Sequence, residues 1–228
     1  MRVAAMIPAR MGSQRLAKKN LLEIRGAPLI AHAVRKCRAA GVFDEIWINS
    51  ENIEFARIAE AEGVGFYQRP EHLGSNTATS EQFVADFLEH HDCDVVVQVH
   101  SIAPLLTVGE LKGFVEAVRG SAADVTLSVV VESLEHLCRG EPVNFTFAEK
   151  TNSQDLPEVH RIVWAITAWR RSTYLEATRR GACATYAGTR AVYPVGRLAG
   201  HVIKTREDFD IAEALWDVVH GTPAPAGG

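Results

Sequence analysis

The sequence predicts an α/β protein built on a doubly wound, mostly parallel sheet, with a small protruding dimerisation segment in its second half. Three observations carry that expectation. Short apolar runs alternate with amphipathic stretches of helical period through the first half of the chain. The runs at 3–7 and 95–99 are apolar almost throughout, as strands covered on both faces require. Gly41 and Gly63 each follow an amphipathic stretch, where helices commonly stop.

In chain order, Val3–Ile7 reads as a buried strand ending at Pro8, and Leu29–Ala40 as a helix. Glu45–Asn49 is the second strand, Ile53–Ala61 the second helix and Val64–Tyr67 the third strand. Ser80–His90 is helical, Val95–Val99 a central strand, Val108–Val118 a helix and Val125–Val131 a strand. The stretch from Glu132 to Pro157 mixes charge, Asn and Pro, and reads as a loop or lobe. Arg161–Trp169 resumes as a strand and Arg171–Arg180 as a helix. Val192–Val195 and His201–Ile203 read as short strands, and Arg206–His220 as a closing helix. Residues 1–220 are expected to form one domain, with 132–160 as its projecting lobe and 221–228 as a frayed tail.

A length of 228 residues, 47% hydrophobic and 23% charged, suffices for a substantial core. The net charge of -4 gives no sign of a general nucleic-acid binder. No apolar run approaches the roughly 20 residues of a membrane span, and the apolar start is too short for a signal peptide. Cys37, Cys93, Cys138 and Cys183 are scattered without metal-ligand spacing, as reduced thiols of a cytoplasmic protein would be. The histidines show no paired spacing for zinc, and neither G-x-S-x-G nor a Ser-His-Asp arrangement is legible.

Chemistry concentrates in the loop from Ala9 to Asn20, directly after the first strand. Ligands of open α/β sheets bind beyond the carboxyl ends of the strands. This loop holds Arg10, Gly12, Ser13, Arg15, Lys18 and Lys19. Gly12 lets backbone N–H groups approach a phosphate, and Arg10 and Lys19 can converge on one triphosphate from the two ends of the loop. Cations there would offset charge developing on an α-phosphate and its leaving group. A solvated basic loop is the alternative on composition alone. The loop is neither G-x-x-x-x-G-K-[ST] nor G-x-G-x-x-G.

The segment Pro8-Ala9-Arg10-Met11-Gly12-Ser13 with Lys19-Asn20 resembles the signature of the acylneuraminate cytidylyltransferase (CMP-sialic acid synthetase) family. Leu22–Ile30, Arg69–Leu73 with Thr77, Thr79 and Ser80, Ala103–Leu105, Ala165–Ala168 and Thr205 with Glu207–Phe209 resemble later family motifs in the same order. The resemblance implies a magnesium-dependent transfer of CMP from CTP to an acidic sugar, nonulosonic or octulosonic, with release of pyrophosphate. It further implies that Arg10 and Lys19 bind the triphosphate, with Ala9, Gly12, Ser13, Arg15 and Asn20 beside it. Arg69 and Ser80 would contact the cytidine. A homodimer is implied as well, with 132–160 reaching the partner copy.

Three departures qualify that resemblance. Val202-Ile203-Lys204-Thr205 stands where the family carries two aspartates for magnesium. Asp208 and Asp210 are the nearest replacement ligands; otherwise the ion rests on CTP phosphates and water, or Lys204 takes part of its role. His100 stands in a stretch that is otherwise polar and hydroxyl-rich in the family, where it can contact substrate, act as a base or cap a strand. Arg161 can grip an acceptor carboxylate or form an ion pair near Asp155 and Glu158. The departures leave two alternatives open: a catalytically altered CTP-binding subunit, and a cytidylyltransferase for a phosphonate-type acceptor.

Overall fold

The computed structural model describes residues 1–12 and 15–221. Ser13 and the expected tail beyond Gly221 lie outside the described residues. Strand β1 (Val3–Pro8) is followed by a short hairpin of β2 (Glu23–Ile24) and β3 (Ala27–Pro28), which leads into α1 (Leu29–Ala40). Then come β4 (Glu45–Ser50), α2 (Glu54–Glu62), β5 (Gly65–Gln68), α3 (Ser80–His90), β6 (Val95–Val99), α4 (Val108–Gly120) and β7 (Val125–Glu132). A second hairpin, β8 (Leu137–Cys138) and β9 (Glu141–Pro142), precedes β10 (Val159–Arg170). The chain closes with α5 (Arg171–Arg179), β11 (Arg190–Pro194) and α6 (Arg206–His220).

Seven strands form one sheet in the order β11-β7-β10-β6-β1-β4-β5. Every pairing is parallel except those of β10, which runs antiparallel to both β6 and β7. The long run of Val95–Val99 is buried in full because β6 lies between β1 and β10 and is covered on both faces.

The two-residue period of β1 divides the core. Val3, Ala5 and Ile7 join Ile30 and Val34 of α1, Phe55 of α2 and Phe114 of α4 on one face. Ala4 and Met6 join Phe87 of α3 and Tyr174 of α5 on the other. Helices therefore cover both faces of the sheet. A third cluster, of Ile24, Leu29, Leu105, Ile203, Phe209 and Ala212, seats α6 beside the first hairpin.

Local chemistry fixes the helix ends. Thr79, Thr107 and Thr205 each cap a helix through a reciprocal box with Gln82, Glu110 and Asp208. Gly41 stops α1 at φ 64°, a left-handed conformation that glycine adopts without strain. At Gly65 an added Cβ would lie 2.3 Å from the Trp47 ring, so the side chain of β4 occupies the space that any other residue would need.

The expected strand at His201–Ile203 does not form. Ile203 N donates to Ile102 O (2.8 Å), and Ile203 O instead accepts from a lysine side chain. Residues 133–158 run between β7 and β10 with no ladder longer than the β8–β9 pair, and Leu134, Leu137, Val143 and Phe147 on them are exposed. None of the described helices is long and apolar enough to cross a membrane.

Candidate functional site

The sheet order reverses at β1: β4 follows on one side, and β6 lies on the other. Loops leaving neighbouring strands there diverge and open a crevice. A cavity of about 230 Å³ occupies this place, lined by Pro8, Ala9, Arg10, Arg15, Lys19, Asn20, Arg69, Phe83, His100, Ser101 and Ile102. Its walls are thus the ends of β1 and β6, the residue that follows β5, and the inner face of α3.

A buried clasp anchors the root of the basic loop. Arg69, with a side chain 2% exposed, donates Nη2 to Glu51 Oε2 (2.9 Å) and to Ala9 O (2.8 Å). Its Nη1 reaches Asn49 O and Asn49 Oδ1, both at 3.1 Å. Glu51 Oε1 in turn accepts from Met11 N (2.9 Å). One guanidinium therefore ties β4, β5 and the loop together, and it lies 4.8 Å from the Phe83 ring centroid. Arg69 Nε is buried with no partner.

Asn20 ties the other end. Its Nδ2 donates to Arg10 O (3.1 Å), and its Oδ1 accepts from Ser101 Oγ (2.9 Å), joining the loop to the end of β6. Lys18 precedes it at φ 49°, a left-handed turn that aims Lys19 differently from its exposed neighbour. Lys19, half-buried, donates Nζ to Ile203 O (2.9 Å). Burial pulls the pKa of Lys19 below the ordinary lysine range; Arg15, Arg10 and Lys204 push it the same way, and Asp208 opposes them. Arg10 reaches Ser75 O (3.3 Å) and Asn76 Oδ1 (3.2 Å), contacts long enough to exchange for a ligand.

His100 follows β6, with Nε2 shielded from solvent and unpartnered. Burial, and next the Lys19 ammonium, lower its pKa to about 4. At neutral pH the imidazole is uncharged, which suits it to hydrogen bonding and makes it a weak base.

The structure thus brings Ala9, Arg10, Arg15, Lys19, Asn20, Arg69 and His100 into one crevice. It does not bring Ser80 or Arg161 there. Ser80 is an exposed first-turn residue of α3, and that helix contributes Phe83 instead. Arg161, exposed at the start of β10, donates to Glu132 Oε1 (2.7 Å), a partner other than Asp155 or Glu158. A Cβ at Gly12 would meet none of the described residues within 4 Å. Pro8, Phe83, Ser101 and Ile102 are lining residues that sequence reasoning missed. Ser101 and Ile102 were accessible to it, because they directly follow the strand next to β1.

The donor set does not fit a divalent ion held by the protein. Magnesium takes hard oxygen ligands, and no described lining residue is a carboxylate. Asp208 Oδ2 accepts from Lys204 N (2.8 Å), Thr205 N (2.8 Å) and Thr205 Oγ1 (2.9 Å), the geometry of a helix cap. Asp210 pairs with Arg206 Nε (2.8 Å). Among the described residues, no group of three or more His, Cys, Asp or Glu side chains is placed to hold a metal ion.

A family model described as cytidylyltransferase matches residues 4–193, which include every residue lining the crevice. The chain belongs to the cytidylyltransferase family. Among curated relatives it is 27% identical over 219 residues to an N-acylneuraminate cytidylyltransferase of Streptococcus agalactiae serotype III (strain NEM316), covering 92% of this chain and 52% of that one. It is 26% identical over 234 residues to a pseudaminic acid cytidylyltransferase of Campylobacter jejuni subsp. jejuni serotype O:23/36 (strain 81-176), covering 96% and 98%. The chain spans about half the length, or less, of the curated acylneuraminate relatives it matches. A solved CMP:2-keto-3-deoxy-manno-octonic acid synthetase complexed with CTP superposes with a TM-score of 0.72 at 16% identity, over 96% of this cytidylyltransferase chain and 99% of the other. That likeness establishes the nucleotidyltransferase-like α/β fold.

Proposed function

We propose that this cytidylyltransferase transfers CMP from CTP to an acidic sugar of the nonulosonic or octulosonic class. The observation that carries the reading is the crevice beside β1, in which Arg10, Arg15 and Lys19 converge while two buried nitrogens, Arg69 Nε and His100 Nε2, lack partners. Buried polar atoms are rarely left unpaired, so a ligand that supplies acceptors to them is favoured. The relatives named for acylneuraminate and pseudaminic acid support the class of acceptor.

In this reading a hydroxyl of the acceptor attacks the α-phosphorus of CTP, a new P–O bond forms, and the bond to pyrophosphate breaks. Arg10, Arg15 and Lys19 stabilise the charge that accumulates on the α-phosphate and the leaving pyrophosphate. Ala9, Gly12, Ser13 and Asn20 shape the phosphate-binding loop. Arg69 Nε donates to the cytidine, with Phe83 beside it, and neutral His100 hydrogen-bonds substrate at the opposite wall. The hydroxyl proton leaves to solvent.

A homodimer is part of the proposal. Leu134, Leu137, Val143 and Phe147 around β8 and β9, and Ile162 on β10, are exposed apolar side chains of the kind that partners cover. Light scattering of wild-type protein and Phe147→Glu tests it: loss of a dimer in the variant is expected, and a monomeric wild type refutes it.

The absent carboxylates favour a second reading, a CTP-binding relative that does not catalyse. Pyrophosphate release from the four nucleoside triphosphates, measured against a panel of nonulosonic and octulosonic acids, separates the two. Release with CTP and one acidic acceptor is expected. Tight CTP binding with no release across the panel would favour the non-catalytic subunit, and release only when a phosphonate is added to the panel would reassign the substrate.

A further inference from the structure

The carboxylates around the crevice are already engaged. Both oxygens of Glu51 are in use, one by Met11 N and the other by Arg69. Asp208 serves as the N3 residue of α6 and as the carboxylate countering Lys19. Asp210 holds Arg206. The loop positions 13 and 14 are Ser and Gln, which add a hydroxyl and an amide but no negative charge.

Cations replace them. Arg10, Arg15 and Lys19 line the cavity, Lys204 follows the residue whose carbonyl Lys19 holds, and the charge of Arg69 is offset by Glu51. A free divalent ion entering this crevice would meet several positive groups and no carboxylate lining it, so Coulomb repulsion opposes its binding to the empty protein. A nucleotide triphosphate meets the opposite field.

We infer that this protein holds the triphosphate with its own cations and supplies no carboxylate ligand to a divalent ion, so that CTP binds without one. The inference rests on the nucleotide reading above. Any magnesium that accompanies the nucleotide would be held by phosphate oxygens and water, a coordination that this ion readily accepts. Lys19 is the residue on which metal-free binding depends most, because it lines the cavity half-buried, with its Nζ held at Ile203 O between the loop and the segment before α6.

Two titrations of the full chain test the inference. In the first, calorimetry follows CTP binding in EDTA and again in excess magnesium. In the second, electron paramagnetic resonance follows free manganese as protein is added without nucleotide. The expected result is a CTP dissociation constant that changes by less than about threefold between the two buffers, with a manganese signal that protein leaves undiminished. Lys19→Met should weaken CTP binding in EDTA by roughly 10- to 100-fold, the range of a lost charge-assisted hydrogen bond. CTP binding only in magnesium, or stoichiometric capture of manganese by the nucleotide-free protein, would overturn the inference while leaving the nucleotide assignment intact. Failure of CTP to bind in either buffer would overturn the assignment itself, and the inference with it.

Discussion

Replacing Glu51 by Gln removes one charge from the clasp beneath the loop and changes almost nothing in shape. In the native protein Arg69 is 2% exposed and Glu51 12%, with 2.9 Å between Nη2 and Oε2. The amide oxygen of the variant can still accept from Met11 N, but its NH2 then faces Arg69 Nη2, donor against donor. The guanidinium stays buried because Asn49 and Ala9 hold it from three further directions. Stranding a buried charge in this way costs about 3–5 kcal/mol, a large share of a total stability of about 5–15 kcal/mol. Urea unfolding followed by tryptophan fluorescence reads the loss as a lower midpoint at unchanged slope. Arg69→Met removes the stranded charge, so the double variant should be less destabilised than the sum of the single ones. CTP affinity should fall in Glu51→Gln as well, because the clasp sets Ala9 and Met11. A loss of stability under about 1 kcal/mol, or strict additivity in the cycle, would refute the reasoning.

Other outcomes follow from the same geometry. His100, with its folded pKa near 4 against an ordinary value near 6.5, stays neutral when folded but protonates when unfolded. Stability is therefore lost as pH falls from about 6.5 to 4, by ~3 kcal/mol in full, and His100→Gln should remove that part of the acid slope in urea titrations. Because the Lys19 pKa is lowered, CTP affinity measured by calorimetry should decline at a less alkaline pH than an ordinary lysine would give. Lys18→Ala, at an exposed neighbour outside the crevice lining, should leave that affinity unchanged. Gly65→Ala should destabilise by about 1–3 kcal/mol through overpacking against Trp47, read in the same urea assay.

The parts of the fold that were legible share a physical cause. Strands covered on both faces leave continuous apolar runs, so Val95–Val99 announces itself. The direction of β10 was not legible, because an apolar strand has the same pattern whichever way it runs. Its twelve residues also include a register shift between Ile162 and Thr167 that no periodicity encodes. The hairpin of β2 and β3 turns on Arg25 at φ 51° and Gly26 at φ 74°, and two-residue strands are too short to show alternation.

The site divides in the same manner. Position after the first strand and the density of cations made Arg10, Arg15 and Lys19 legible as residues of the crevice. The roles of Arg69 and Asn20 were not, since their partners Glu51 and Ser101 lie 18 and 81 positions away in the chain. Arg69 read as a nucleotide contact and proves to be committed first to the loop, with only Nε left over. Phe83 stayed hidden because an aromatic residue at helical spacing reads as core. Asp208 and Asp210 read as candidate ligands for magnesium, but a helix cap and an ion pair occupy them.

A crystal structure of the wild-type protein with bound CTP tests the central claim most directly. Phosphate oxygens within hydrogen-bonding reach of Lys19 Nζ and the Arg10 guanidinium, at the carboxyl end of β1, are the predicted result. A nucleotide found elsewhere on the molecule, with the crevice between β1 and β6 unfilled, would contradict it.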